Sequence, residues 1–143
     1  MSKNNKIYRA GLIPFIKNGN DIKIMLMKPS NPKYGGDRFQ IAKGKIDPGE
    51  TTKEAAIREA EEELGLFQVN VIRIEKLGNF LGRMTIYVAE MKDKDLFGMP
   101  HFETGETAWM TVSEFQEFGR TLHRPLILAA ERLIGEMLSD DGE

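Results

Sequence analysis

The sequence contains no cysteine. That excludes disulfides, thiolate nucleophiles and cysteine-ligated zinc. Histidine is almost as scarce: His101 and His123 are the only two, too few to build a histidine-rich metal centre alone. No apolar run approaches the roughly 20 residues of a bilayer-spanning helix. The opening MSKNNKIYRA has no apolar signal-peptide core. A cytoplasmic location without a membrane partner is therefore expected. There is also no excess of one charge: 20 basic against 22 acidic residues leave −2. Without a global basic field, binding to long nucleic acid is not expected. What remains is ordinary globular material, 41% hydrophobic and 29% charged over 143 residues. That suits one domain over residues 1–143 with room for a core. No repeat or low-complexity segment interrupts it.

The informative stretch runs from Gly44 to Leu66, GKIDPGETTKEAAIREAEEELGL. Asp47-Pro48-Gly49 is turn chemistry, Pro presetting φ and Gly tolerating a positive one. Thr51 fits a helix N-cap, and Glu54 three residues on completes a capping box. The spacing then predicts a helix over 52–64, rich in Ala, Glu, Lys and Arg, with Gly65 as its stop. Residues three and four apart share a helix face, so Glu59, Glu62 and Glu63 converge. Ala56, Ile57, Ala60 and Leu64 form a separate apolar stripe. Like charges at these spacings repel by a few tenths of a kcal/mol per pair. An acidic face can simply be solvated, but three converging carboxylates also suit a hard divalent cation such as Mg²⁺ or Mn²⁺.

The full spacing decides between these readings. Gly44, Glu50, Arg58, Glu59, Ala60, Glu62, Glu63, Gly65 and Leu66 fill the pattern G-x5-E-x7-R-E-U-x-E-E-x-G-U, where U is aliphatic. Seven fixed identities at fixed spacing arise by chance on the order of 10⁻⁸ per start position. The stretch resembles the Nudix box, the signature of the Nudix hydrolases, with Ala60 where the family more often has a larger aliphatic. The resemblance implies an α/β/α sandwich with a mixed sheet between helices. It implies that Glu59, Glu62 and Glu63 take part in metal binding or water activation, with the Gly44 carbonyl as a further ligand. It implies also that Glu50 pairs with Arg58, which fixes the helix and orients Glu59.

Along the chain, strands are expected over 7–16, with Pro14 marking an edge or bulge, and over 22–27, paired as a hairpin across 18–21. A polar loop covers 28–38, and a short strand over 39–42 ends at Lys43-Gly44-Lys45. Further strands are expected over 69–78, 83–91 and 106–112. A helix over 114–118 is capped by Ser113. A last helix starts near Leu122, with Pro125 in its first turn, and an acidic tail frays over 139–143. Trp109 reads as a core anchor. Tyr87 reads as core packing or as a platform for a nucleotide base.

In the diadenosine-polyphosphate hydrolase branch, the segment before the box usually reads Trp-x-Leu-Pro-Lys-Gly. Here it is Phe39-Gln40-Ile41-Ala42-Lys43-Gly44, so the Trp and Pro are replaced while Lys43 and Gly44 match. Lys43 and Lys45, at the mouth of the acidic helix, are candidates to neutralise phosphate oxygens. The box leaves the general base open: Glu59 within it, or Glu103 or Glu106 from a later loop. The resemblance implies hydrolysis of a nucleoside diphosphate linked to another moiety, a small-molecule nucleotide. A dinucleoside polyphosphate comes first. ADP-ribose or another nucleotide sugar, a nucleoside triphosphate and a cap-like RNA end follow. A catalytically silent nucleotide-binding module and a regulatory Ca²⁺ site are the non-enzymatic alternatives, and a homodimer is left open.

Overall fold

The strand at the centre of the molecule is its first, β1 (Arg9–Asn18). The computed structural model describes residues 7–33 and 37–141. The Gly pair of the polar loop, residues 35–36, and the last two residues of the acidic tail lie outside them. β2 (Asp21–Pro29) follows through a tight turn at Gly19, φ +67°, and pairs antiparallel with β1 from Asn18↔Asp21 to Phe15↔Ile24. β3 (Ala42–Lys45) pairs with the other end of the same β1 edge, Leu12↔Ala42 to Arg9↔Lys45. Residues 13 and 14 fall between these two registers. Pro14, expected at an edge or bulge, thus sits in a central strand where the neighbour changes, and where a missing N–H costs little.

Helix α1 (Thr52–Leu64) is bounded as the sequence predicts. The Thr51 hydroxyl accepts from the Glu54 N–H, and the Glu54 carboxylate accepts from the Thr51 N–H. Gly65 ends it in the left-handed region at φ +75°. A 3-10 turn (Gln68–Asn70) leads to β4 (Val71–Phe80), then β5 (Met84–Met91) and β6 (Thr104–Met110). Helix α2 (Val112–Phe118) is capped by Thr111 rather than Ser113, since Thr111 and Glu114 form the reciprocal pair. A second 3-10 turn (Thr121–His123) precedes α3 (Arg124–Asp141), which carries the helix into the expected acidic tail.

The strand order is β4-β5-β1-β2-β6, with β3 joined to β1. β5 runs parallel to β1 and the other pairs are antiparallel, so the sheet is mixed. Side chains alternate across it with period two. Ile13, Phe15, Ile24, Leu26, Ile86 and Val88 pack with Phe115, Ile127 and Ile134 on one face. Leu12, Met25, Met27, Tyr87 and Ala89 pack with Ala55, Ala56, Ala60 and Leu64 on the other. Both faces are covered, which explains strands that read as almost unbroken apolar runs. Helices on either side of a mixed sheet make the expected α/β/α layering. Among the described residues, no helix is long and apolar enough to cross a membrane.

Candidate active site

The acidic and apolar stripes of α1 are less separate than its periodicity suggests. Glu59 is only 8% exposed and belongs to the buried face with Ala55, Ala56 and Ala60, whereas Ile57 is half-buried. The reason lies opposite, in β3. The Glu59 carboxylate rests against Gly44, and a Cβ there would stand 2.2 Å from its Cδ. Gly44 is thus needed for close approach, and small alanines on α1 let the helix come down onto the sheet. The preceding Lys43 N–H donates to Glu63 Oε1 at 3.1 Å, so the same strand holds two of the three box carboxylates.

Arg58 links the rest. Its Nε and Nη2 donate to Glu50 Oε2 and Oε1 at 2.8 and 3.0 Å, and Nη2 also reaches the Lys45 carbonyl at 2.9 Å. Nη1 donates to Glu59 at 3.0 Å and to Glu62 at 3.2 Å. One guanidinium therefore joins the turn before the helix to two carboxylates on it. These hydrogen bonds hold Glu50 below the usual carboxylate range and hold the guanidinium firmly protonated. Glu59 and Glu63 go the other way. Burial raises Glu59, opposed by Arg58 and reinforced by Glu62. Burial, then repulsion from Glu59, pushes Glu63 up to about 8. These two neighbours resist being charged together.

The loop before β6 docks on the end of α1. The N–H groups of His101 and Gly98 donate to the carbonyls of Glu62 and Gly65 at 2.6 and 2.7 Å, and the Thr104 hydroxyl donates to Glu63 O at 2.9 Å. The loop thereby caps carbonyls that a helix C-terminus leaves unpaired, and it brings Glu103 to the site. Gly65 is fixed by this docking, since a Cβ there would meet the Gly98 carbonyl oxygen at 2.0 Å.

A cavity of about 490 Å³ opens beside this assembly. Gly44, Glu63 and Glu103 line it together with three cations, Arg9, Lys43 and Lys45. Burial pulls the Lys43 ammonium below the usual lysine range, against the opposing pull of Glu63. Its Nζ donates to Gln40 Oε1 at 3.4 Å. Glu103 is 71% exposed by side chain and sits 3.6 Å from His101.

Two expected site residues are elsewhere. Tyr87 is 8% exposed, packed beneath α1, with its hydroxyl 2.6 Å from that of Thr52. Its ring has no open face for a base, so the packing alternative is the one realised. Glu106 pairs in register with Lys28, on the opposite face of the sheet from α1, and their side chains form an ion pair at 3.7 Å. Trp109 is partly buried and anchors the loop, edge-on to Phe97 and donating to Lys94 O at 3.0 Å. Arg9, Gln40, Arg120 and His123 were not legible as site residues. They reach Lys43 only through the fold. Phe39 N–H donates to Phe118 O, Arg120 N–H to Phe39 O, and Ile41 N–H to the ring Nδ1 of His123, which is fully buried. Burial pulls that imidazole down to about 3.

The family model described as the NUDIX domain matches residues 7–130. The chain belongs to the Nudix family. Rat bis(5'-nucleosyl)-tetraphosphatase (asymmetrical) is 30% identical over 130 residues, covering 81% of this chain and 86% of the rat protein. A C. elegans Ap4A hydrolase binary complex superposes with a TM-score of 0.72 at 19% identity, covering 91% of this chain and 98% of that one. The NUDIX domain of Shewanella oneidensis NrtR, complexed with ADP ribose, has the same TM-score of 0.72 at 16% identity, covering 90% and 88%. NrtR is also known in complex with a 27mer DNA, where the TM-score is 0.66 at 19% identity over 88% of this chain and 61% of that one. The resemblance drawn from the box holds, as do the fold and the enzyme class, a Nudix pyrophosphohydrolase.

The donor set suits a hard cation: carboxylate oxygens from Glu59, Glu62 and Glu63, and the Gly44 carbonyl. As placed, the carboxylates are dispersed among Arg58, the Lys43 N–H and each other. Among the described residues, no three His, Cys, Asp or Glu side chains converge at metal-ligand spacing. All three glutamates stem from two adjacent turns of one helix.

Proposed function

We propose that this chain hydrolyses a phosphoanhydride bond in a nucleoside diphosphate linked to another moiety, with a dinucleoside polyphosphate as the preferred substrate and Mg²⁺ or Mn²⁺ as the metal. The observation that carries this reading is the cavity where Gly44 and Glu63 meet Arg9, Lys43 and Lys45. Glu63, one of the three box carboxylates, and cations for phosphate oxygens line the same cavity. The kinship with an asymmetrical tetraphosphatase and an Ap4A hydrolase supports the substrate choice.

Glu59, Glu62 and Glu63 with the Gly44 carbonyl would hold the metal. When bound, it supplies charge neutralisation and lowers the pKa of water. Lys43, Lys45 and Arg9 bind the phosphate oxygens and orient the anhydride. Arg58 is a positioning residue, acting through Glu59. Glu103, on the docked loop beside the cavity, is the favoured general base, with Glu59 the alternative inside the box.

The experiment is a panel of nucleotides incubated with the protein and Mg²⁺ or Mn²⁺, with products separated by chromatography. Dinucleoside polyphosphates should be cleaved fastest, and Glu63→Gln should abolish turnover. Preferential cleavage of ADP-ribose would favour the second reading, which the ADP-ribose complex of NrtR supports. Tight binding without any product would favour the silent module.

A further inference from the structure

Behind Lys43 lies a second cavity, of about 460 Å³, that shares Arg9 and Lys43 with the first. Its walls come from the start of β1, the β4–β5 turn and the 3-10 turn before α3. Arg9, Lys43, Arg83 and Arg120 contribute four positive charges, and among the described residues no Asp or Glu lines it. Arg9, Lys43 and Arg120 make no salt bridge among the described residues. Arg83 lies over the Tyr8 ring, 4.7 Å from its centroid.

His123 lines the same cavity and is 0% exposed. The Ile41 N–H donates to its Nδ1 at 3.2 Å, so Nδ1 is an acceptor. The proton of the ring therefore sits on Nε2. Nε2 is buried and has no hydrogen-bond partner among the described residues. A buried donor left unpaired is unfavourable. Three cations without an ion pair among the described residues, Arg9, Lys43 and Arg120, and one unpartnered donor line a single cavity, and all call for the same thing, an oxygen acceptor carrying negative charge.

We propose that this cavity is a second phosphate subsite, in which the substrate's phosphate chain continues past Lys43 and Arg9 and a phosphoryl oxygen accepts from His123 Nε2–H and Arg120. The assignment rests on the activity proposed above and narrows its substrate. A chain spanning both cavities favours three or more phosphates over the two of ADP-ribose. Both residues bind substrate directly, and neither takes part in bond cleavage.

Inorganic tripolyphosphate, added to the full chain in EDTA, tests this without turnover. The His123 Nε2–H resonance should shift on titration in proton–nitrogen NMR. Arg120→Gln should weaken binding by about tenfold or more, the worth of one charge-assisted hydrogen bond. The NMR arm needs no variant, so misfolding cannot imitate it, and a circular dichroism spectrum like the wild type shows that Arg120→Gln is folded. A His123 resonance unmoved at saturating tripolyphosphate, or unchanged affinity in Arg120→Gln, would overturn the subsite. The two proposals fail separately. Dinucleoside polyphosphate turnover with KM unchanged in Arg120→Gln removes the subsite and keeps the activity. Tripolyphosphate binding that moves His123, with no nucleotide cleaved, keeps the subsite and removes the activity.

Discussion

The Glu59 carboxylate is packed directly on the backbone of Gly44, close enough that a methyl group at residue 44 would stand 2.2 Å from the Glu59 carboxyl carbon. The glycine of the box is thus required by a side chain on the helix that follows it. Gly44→Ala should push Glu59 out of place while β3 keeps its pairing with β1. Displacing a reacting group by about 1 Å costs on the order of 10²-fold in rate. We expect a loss of that size in kcat, with a circular dichroism spectrum like the wild type. Wild-type kcat in Gly44→Ala would show that Glu59 tolerates displacement and has no positional role.

Arg58 spans Glu50, Glu59, Glu62 and the Lys45 carbonyl. It makes no approach to the cavity of its own, so its effect on rate must pass through those partners. Removing such a supporting group typically costs about 10- to 100-fold in activity or metal affinity. Arg58→Lys should restore little, because an ammonium cannot grip Glu50 with two nitrogens while reaching Glu59. Metal titration by calorimetry should show weaker Mg²⁺ binding in both variants. A fully active Arg58→Lys would mean that only the positive charge matters.

These two pairs also mark how far the residues alone could be read. Helix α1 was legible to its last residue because Thr51, Glu54 and Gly65 are local signals. The Glu50–Arg58 pair was expected from the resemblance, since eight residues separate its members. Glu59 turning inward was hidden, because periodicity averages over a helix and Gly44 is a neighbour only in the folded state. Pro14 misled for a related reason: no local signal reveals that a strand changes partner at that residue. His123 and Arg120 reach Lys43 across more than 75 positions, through backbone bonds from Phe39 and Ile41.

The two loop glutamates can now be separated by where each lies. Glu103 borders the cavity with Gly44 and Glu63, whereas Glu106 pairs with Lys28 on the far face. General bases contribute about 10²- to 10⁴-fold. We expect Glu103→Gln to lower kcat within that range while Glu106→Gln stays close to wild type. The pH–rate profile of Glu103→Gln should lose its acidic limb. If only Glu59→Gln removes that limb, the base lies within the box.

The stability of the metal-free protein should carry the signature of Glu63. Its carboxyl takes up a proton at about pH 8 in the fold and at 4.5 when unperturbed. Between those values the native state holds a proton that the unfolded chain has released, so stability must fall as pH rises. His123 acts in the opposite sense, titrating at about 3 in the fold against 6.5 unperturbed. Its contribution grows with pH and is complete above about 6.5. The two slopes oppose each other from about pH 4.5 to 6.5, and only that of Glu63 persists from there to about 8. Thermal denaturation in EDTA should therefore show Tm falling between about pH 6.5 and 8. Glu63→Gln should flatten that limb, and His123→Asn should leave it in place. Mg²⁺ should shrink it as well, because a cation and a proton compete for the same oxygens. A wild-type Tm that stays level across this window would mean that Glu63 is already ionised in the fold at neutral pH, which its burial beside Glu59 argues against.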